Sequence, residues 1–321
     1  MKADVIAMLA GAQRVLAVTH RDPDGDALGS ALGLLHLLEA RGAQARVHAF
    51  GEIPPEYGFL PGLERVSSDL PPRDWVETAV LLDCHEPQRA GRAAEKMLAD
   101  FDRVVVVDHH QGRGDFGTAR WVDPSYAATS VMLAEAAFEA GWGMNPRAAA
   151  CLFVGVQTDT GSFRYSNAGV RAFETAARLV AAGADPWAIS QEVYATRPRR
   201  VRLFSWVLER LDMRAGGRLA LGCVSRRDLD SLGCDSRDLE NMVEMIRAIP
   251  GVEAAVLLKE NKSGGVKASM RSRGLLDVAE VAISFGGGGH HNAAGMTLDL
   301  PLDQAAAKLA DILTQRLEES A

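Results

Sequence analysis

The stretch HRDPDGDALGS, residues 20 to 30, sets His20 just ahead of Asp22, Asp24 and Asp26. Imidazole and carboxylate at this density form the donor set of a divalent cation. On an extended backbone, residues two apart point the same way, so Asp24 and Asp26 can each face a different ion. Gly25 then supplies the tight backbone between them, and Asp22, followed by Pro23, is a turn residue. The same residue types recur where other apolar runs stop. LLDCHE brings Asp83 and His85, VVVDHH brings Asp108, His109 and His110, and LFVGVQTDTGSF brings Asp159. Five carboxylates gathered on one rim would repel strongly unless cations share the space. Mixed oxygen and nitrogen donors suit Mn²⁺, with Mg²⁺ less well matched to imidazole and Zn²⁺ or Co²⁺ as substitutes. Two ions ~4 Å apart can share a hydroxide as nucleophile and hold a phosphodiester for in-line displacement, so hydrolysis needs no serine or cysteine.

The elements that must position these residues follow from the apolar pattern. RVLAVTH (14–20), ARVHAF (45–50), TAVLLD (78–83) and RVVVVD (103–108) are almost continuously apolar, as strands buried on both faces are. Helical patterns occupy 27–42, with Gly42 as its C-terminal cap, then 127–141, 147–157, 169–182 and 186–212, the last broken at Pro198. Alternation of this kind predicts an α/β fold with a doubly wound, mainly parallel sheet, whose ligands lie outside the carboxyl ends of the strands. After Gly216 and Gly217 the pattern becomes that of a smaller α+β domain: strands at RLALGCV, VEAAVLLKE, VKASMRSR and AGMTLDL, with helices at 236–248, near 276–283 and at 302–317. The expected division is 1–195 for the metal-bearing domain, 196–214 for a helical linker whose RPRR (197–200) is either a hinge or a charged helix face, and 215–321 for a substrate-binding domain. The active site is expected in the cleft between the domains.

Composition narrows the partners. The 321 residues exceed one ordinary core. No apolar run approaches the ~18 residues that span a bilayer, which points to a cytoplasmic protein with no membrane partner. A net charge of -7 argues against gripping long duplex nucleic acid. Against that acidic background, LLKENKSGGVKASMRSR carries Lys259, Lys262, Lys267, Arg271 and Arg273 beside Glu260, a local positive stripe with a hairpin turn at Ser263 to Gly265. Aromatic residues make up 6% of the chain, too few for an extended base-stacking platform. Cys84, Cys151, Cys223 and Cys234 show no paired spacing and read as small core residues, while His36 and His48 sit inside helix and strand patterns as packing residues.

HRDPDGDALGS, LLDCHEPQRAG, VVVDHHQG and TDTGSF, in this order, resemble the successive motifs of the DHH phosphoesterase superfamily. FGGGGHHNAAG (285–295), preceded by ASMRSRG, is similar to the glycine-rich motif of the DHH-associated C-terminal domain. The layout is most similar to the bacterial nanoRNases, oligoribonucleases that also act on pAp. The resemblance implies that His20, Asp24 and Asp83 hold one metal and that Asp26, Asp83, His109 and Asp159 hold the other, with Asp83 bridging. It implies that Asp108 either approaches the metals or orients His109, and that His110 faces the substrate phosphate. Asp83, Asp108 and His110 are thus the expected catalytic residues, and His85 is an extra imidazole near the rim, either behind the metal ligands or exposed. Arg271, Ser272, His290 and the glycines Gly287, Gly288 and Gly289 are expected to contact substrate, and His291 has no assigned role. The implied substrates are RNAs of two to five nucleotides, cut to 5′-mononucleotides, and pAp; a homodimer is compatible with the family. A phosphodiesterase for cyclic or linear dinucleotides is the principal alternative. A single-strand DNA exonuclease, an inorganic pyrophosphatase and a non-catalytic nucleotide-binding regulator are more distant ones.

Overall fold

The computed structural model describes residues 1–112, 114–261, 264–274 and 276–319, with His290 described by its backbone alone. The chain divides into two compact units, Met1–Ala195 and Thr196–Ala321. No helix among the described residues is long and apolar enough to cross a membrane.

The first unit runs α1 (Lys2–Gly11), β1 (Arg14–Val18), α2 (Gly25–Glu39), β2 (Gln44–His48), β3 (Val66–Ser67), β4 (Thr78–Leu82), α3 (Arg92–Ala99), β5 (Val104–Asp108), β6 (Ala119–Val122), α4 (Thr129–Glu139), α5 (Pro146–Asp159), α6 (Val170–Ala181) and α7 (Pro186–Val193). Its strands lie in the order β3-β2-β1-β4-β5-β6, and neighbouring strands are parallel. β4 and β5 are buried at every position because helices cover both faces, which is why they carry no polar stripe. From β1 the chain winds outward through β2 and β3, and from β4 it winds the other way through β5 and β6. The reversal falls between β1 and β4, the switch point at which open α/β sheets bind ligands. His20 and Asp83 follow those two strands directly.

Helix α2 is pressed against α5 along a glycine stripe. A Cβ on Gly25 would stand 2.5 Å from the Thr158 hydroxyl, one on Gly29 2.5 Å from the Cys151 carbonyl, and one on Gly33 2.6 Å from Leu152. Larger residues would drive the helices apart. α5 starts as expected, with the Asn145 side chain accepting from Ala148 N at 3.0 Å and Pro146 in the first turn. Gly42 takes φ 84° just beyond the end of α2. The expected break at Pro198 separates α7 from the next helix. Edge strands β3 and β6 and helix α1 were not expected from the pattern; both strands are too short to show a period.

The second unit contains α8 (Pro198–Leu208), β7 (Asp212–Arg214), β8 (Leu219–Val224), α9 (Arg226–Leu232), α10 (Met242–Arg247), β9 (Ala254–Glu260), β10 (Val266–Ser272), α11 (Val278–Ser284), β11 (Gly288–His290), β12 (Ala293–Leu298) and α12 (Leu302–Glu319). Its sheet has the order β11-β12-β10-β9-β8-β7 and is antiparallel except for β8 and β9. One face packs Val256, Leu258 and Met270 against Val281 of α11 and Leu309 and Leu313 of α12. The other packs Ala255 and Leu257 against Leu203 and Val207 of α8 and Met242 and Ile246 of α10. Residues 196–214, expected as a linker, therefore contribute core to this unit. Arg199, expected in a hinge or on a charged helix face, pairs with Asp238 at 3.0 Å. The segment expected as one helix at 236–248 is a single turn of 3₁₀ helix at Ser236–Leu239 followed by α10, and the glycine run, expected as a loop, enters strand β11.

Candidate metal centre

His20, Asp24, Asp26, Asp83, His109, His110 and Asp159 converge at the carboxyl ends of β1, β4 and β5 and the C-terminal end of α5. Three groups place ligand atoms within 4.8 Å of one another: His20 with Asp24 and Asp83, Asp26 with His109 and Asp159, and Asp83 with His109 and His110. Asp83 is shared by the first and third groups and His109 by the second and third, and Asp83 divides its two oxygens between His20 and His109. Oδ2 lies 3.5 Å from His20 Nε2, and Oδ1 lies 3.5 Å from His109 Nε2. The residue takes φ 59°, left-handed backbone that aspartate tolerates better than most. Its N–H still bonds the Val107 carbonyl at 3.0 Å, so the strand turns aside without losing its ladder.

Local structure differs from an extended DGD segment. Asp24 is the N-cap of α2, accepting from Asp26 N at 3.1 Å and Ala27 N at 3.0 Å, and Asp26 lies inside the first turn. Gly25 is not in the left-handed region; close packing on Thr158 is what requires a glycine there. Asp26 is fully buried and is held by the N-terminus of α4, accepting from Thr129 N at 2.6 Å and Ser130 N at 2.9 Å. The Thr129 hydroxyl donates to Asp83 at 3.0 Å. These contacts span the chain from motif to motif, and the only trace of them in the sequence is a Thr-Ser pair opening a helical pattern. Gly155 completes the packing: a Cβ there would fall 2.4 Å from Asp26 Oδ1 and 2.0 Å from the Ser130 hydroxyl.

The electrostatics are those of a site built for positive charge. Burial, reinforced by the charges of Asp26, Asp24 and Asp159, holds Asp83 well above the ordinary carboxylate range. Burial and Asp26 also raise Asp159, to about 7. Burial opposes charge on His20 and His109, but the carboxylates facing them win, and both imidazoles are raised to about 10. Partial loss of surrounding water opposes charge on Asp24, yet this carboxylate is lowered because His20 and the Ala27 amide favour its charged form. His109 Nε2 lies 3.0 Å from Asp159 Oδ2 and 3.9 Å from Asp26 Oδ2, is buried, and makes no hydrogen bond among the described residues. A buried nitrogen without a hydrogen bond, facing three carboxylates, fits a cation ligand.

Asp108 stands apart from these groups. It is fully buried; Oδ1 accepts from His110 Nδ1 at 2.8 Å and from the His110 amide at 3.1 Å, while Oδ2 faces His85 Nδ1 at 2.5 Å. Asp108 thus holds His110 and His85; neither a direct approach to the cluster nor a bond to His109 is seen. Burial works against its charge, and the two imidazoles outweigh burial and bring Asp108 below the usual range. His36 and His48 are buried packing residues, and Asp22 serves a turn, its carboxylate accepting from Glu52 N at 3.1 Å.

In the second unit, β10 alternates Lys267, Ser269 and Arg271 on one side with buried Ala268, Met270 and Ser272 on the other. Arg271 is half-buried and paired, Nε donating to Glu244 at 2.5 Å. Ser272 donates to Asn292 Oδ1 at 3.0 Å and bonds within the sheet. Gly287 and Gly289 pack on β12, where a Cβ on either would fall 2.4 Å from a carbonyl; Gly288 faces open space. Lys262, Ser263 and the His290 side chain lie outside the described residues, and His291 sits 3.2 Å from Asp277. In the first unit, a cavity of about 560 Å³ opens beside β2 and β3, lined by Arg46, Ser67 and Trp75 among others. None of the clustered residues lines it, and Arg46 is already stacked on Trp75.

Comparisons with known proteins identify the family. Residues 14–156 match the DHH family, N-terminal domain, and residues 221–319 match the DHHA1 domain. The chain is 33% identical to the bifunctional oligoribonuclease and PAP phosphatase NrnA of Thermus thermophilus, over 94% of this chain and 90% of that one. It is 25% identical to the protein of the same name from Bacillus subtilis, over 98% of both. An exopolyphosphatase-related protein from Bacteroides fragilis superposes with a TM-score of 0.90 at 24% identity, covering 99% of this chain and 95% of that one, which establishes a shared fold.

Proposed function

The chain belongs to the DHH family, and from that premise we propose that it hydrolyses short oligoribonucleotides of two to five nucleotides to 5′-mononucleotides and removes the 3′-phosphate of pAp. The observation that carries the reading is Asp83, whose two oxygens face two separate donor sets. Its substrate half is supported by the names of the relatives that match almost the whole chain.

His20, Asp24 and Asp83 would hold one divalent cation, and Asp26, Asp83, His109 and Asp159 a second, with Mn²⁺ the best match to this donor set. Such a pair supplies Lewis acidity toward the phosphoryl oxygens and lowers the pKa of water. The protein's own residues do the rest. The N-terminus of α4 fixes Asp26 and Asp83, so that neither carboxylate reorganises during the reaction. Asp108 occupies Nδ1 of His110 and leaves Nε2 to meet a phosphate oxygen. In the second unit, Arg271 exchanges Glu244 for a substrate phosphate, and Gly288 gives a base or phosphate room beside the backbone.

A side-by-side rate assay tests this: Mn²⁺-loaded protein on pApA, a long RNA strand, pAp, cyclic di-AMP and pyrophosphate. Fast turnover of pApA and pAp with the long strand nearly untouched is expected. Preference for the long strand, the cyclic dinucleotide or pyrophosphate would overturn the substrate assignment.

A further inference from the structure

His85 belongs to none of the cation-binding groups, yet it is buried and tied to the centre through a single carboxylate. An ionised Asp108 only accepts hydrogen bonds, so each imidazole facing it must donate. His85 donates through Nδ1 to Oδ2, and His110 donates through Nδ1 to Oδ1. The ring and the amide of His110 both hold Oδ1, and His85 alone holds Oδ2, so only with His85 are both oxygens fixed.

The far side of His85 is equally confined. A Cβ on Gly112 would stand 1.9 Å from His85 Nε2, and one on Gly114 3.4 Å from Cδ2, so the chain after His110 closes over this ring. Gly112 has no left-handed torsion that would require a glycine, and contact with His85 is what excludes a side chain there. The loop that carries His109 and His110 is thus packed on the residue that steadies Asp108.

We propose that His85 is a positioning residue: acting through Asp108, it holds the His110 imidazole as the Nδ1–H tautomer with Nε2 turned to the substrate phosphate. The kinetic part of this assignment rests on the phosphoesterase reading above. His85 touches neither the cations nor the substrate in this role. Its removal leaves the metal sites intact and lets Asp108 and His110 lose their fixed orientation.

The test combines kinetics with a spectroscopic readout on metal-loaded protein. His85→Ala is expected to lower kcat on pApA roughly 10- to 100-fold, the usual loss when the outer partner of a site is removed, with KM and metal stoichiometry unchanged. His85→Asn, which returns an N–H near the Nδ1 position, restores most of that loss, and His85→Gln does not. Gly112→Ala lowers kcat in the native background but adds nothing to His85→Ala, because the ring it would strike is gone. In ¹⁵N-histidine NMR spectra, the native protein shows His85 and His110 protonated at Nδ1, and His85→Asn keeps His110 in that form. A kcat within twofold of native in His85→Ala, additive loss with Gly112→Ala, or His110 protonated at Nε2 in the native protein would each overturn the assignment. If the native protein turned over no phosphoester, the functional reading would fall, while the native NMR spectrum would still decide the tautomer.

Discussion

Asp26 and Arg271 serve the two halves of the proposed reaction under opposite conditions. Asp26 has no exposure, and backbone amides of α4 grip both of its oxygens. Arg271 is half-exposed on β10 beside α10, and its one carboxylate partner, Glu244, also pairs with Arg247 at 2.8 Å. The first arrangement is determined by main chain and helix packing and cannot adapt. The second is a side-chain pairing that a phosphate can replace. The comparison separates the fixed chemistry of the first unit from the adjustable recognition of the second.

Asp83→Ala tests the rigid half most severely. It removes the carboxylate proposed to serve both donor sets, and turnover of every substrate should fall about 10³-fold, the scale of losing a principal electrostatic group; a native rate in a stopped assay would refute the shared site. Gly155→Ala attacks the same half without touching a ligand. The new methyl must displace Ser130 and Asp26, costing about 1–3 kcal/mol of stability in a denaturant titration and a correspondingly large share of kcat. Intact activity would show that Asp26 is less constrained than its contacts indicate.

Arg271→Ala addresses the adaptable half. We expect KM for short oligonucleotides to rise about tenfold, the worth of one charge-assisted contact, with metal binding unchanged by calorimetry. Metal loss in this variant would contradict the division of labour.

The smallest effect concerns pH. His20 and His109, raised to about 10, stabilise the metal-free fold while protonated. That contribution is complete below their unfolded value of ~6.5 and disappears as pH climbs through about 10. Asp159, raised to about 7, acts in the same direction over a lower window, because its ionisation in the cluster is disfavoured. The Tm of metal-stripped protein should therefore fall steadily between pH 6.5 and 10, and loading with Mn²⁺ should flatten the decline. A Tm that rises over this range would mean that the carboxylates and imidazoles are not coupled as described.

Strand ends were readable in the sequence because parallel strands buried on both faces announce themselves as apolar runs, and three of the four runs in the first unit stop at a potential ligand. The gathering of His20 and Asp83 at one rim follows from that pattern, whereas the strand order that puts the switch point between β1 and β4 does not. The partners of those ligands were not readable. Thr129 and Ser130 reach Asp26 across about a hundred residues, a pairing with no local signature. Whether Asp108 serves His109, His110 or His85 depends on side-chain rotamers at one strand end. In the second unit, the glycine run concealed β11 because glycine carries no strand signal, and the pairing of Arg271 with Glu244 depends on how α10 packs beside β10.

Helix α2 is covered along nearly its whole length by the sheet and by α5, so its amides should be among the slowest in the molecule to exchange with deuterium. Fraying of that helix offers an incoming ion no passage. Among the clustered side chains, Asp24 is 57% exposed and His110 28% exposed, whereas Asp26 and Asp83 are sealed. Asp159 is 23% exposed, so ions held by this centre would pass over Asp24, His110 and Asp159, and the rate of metal exchange should respond to substitutions at that threshold long before the equilibrium affinity does.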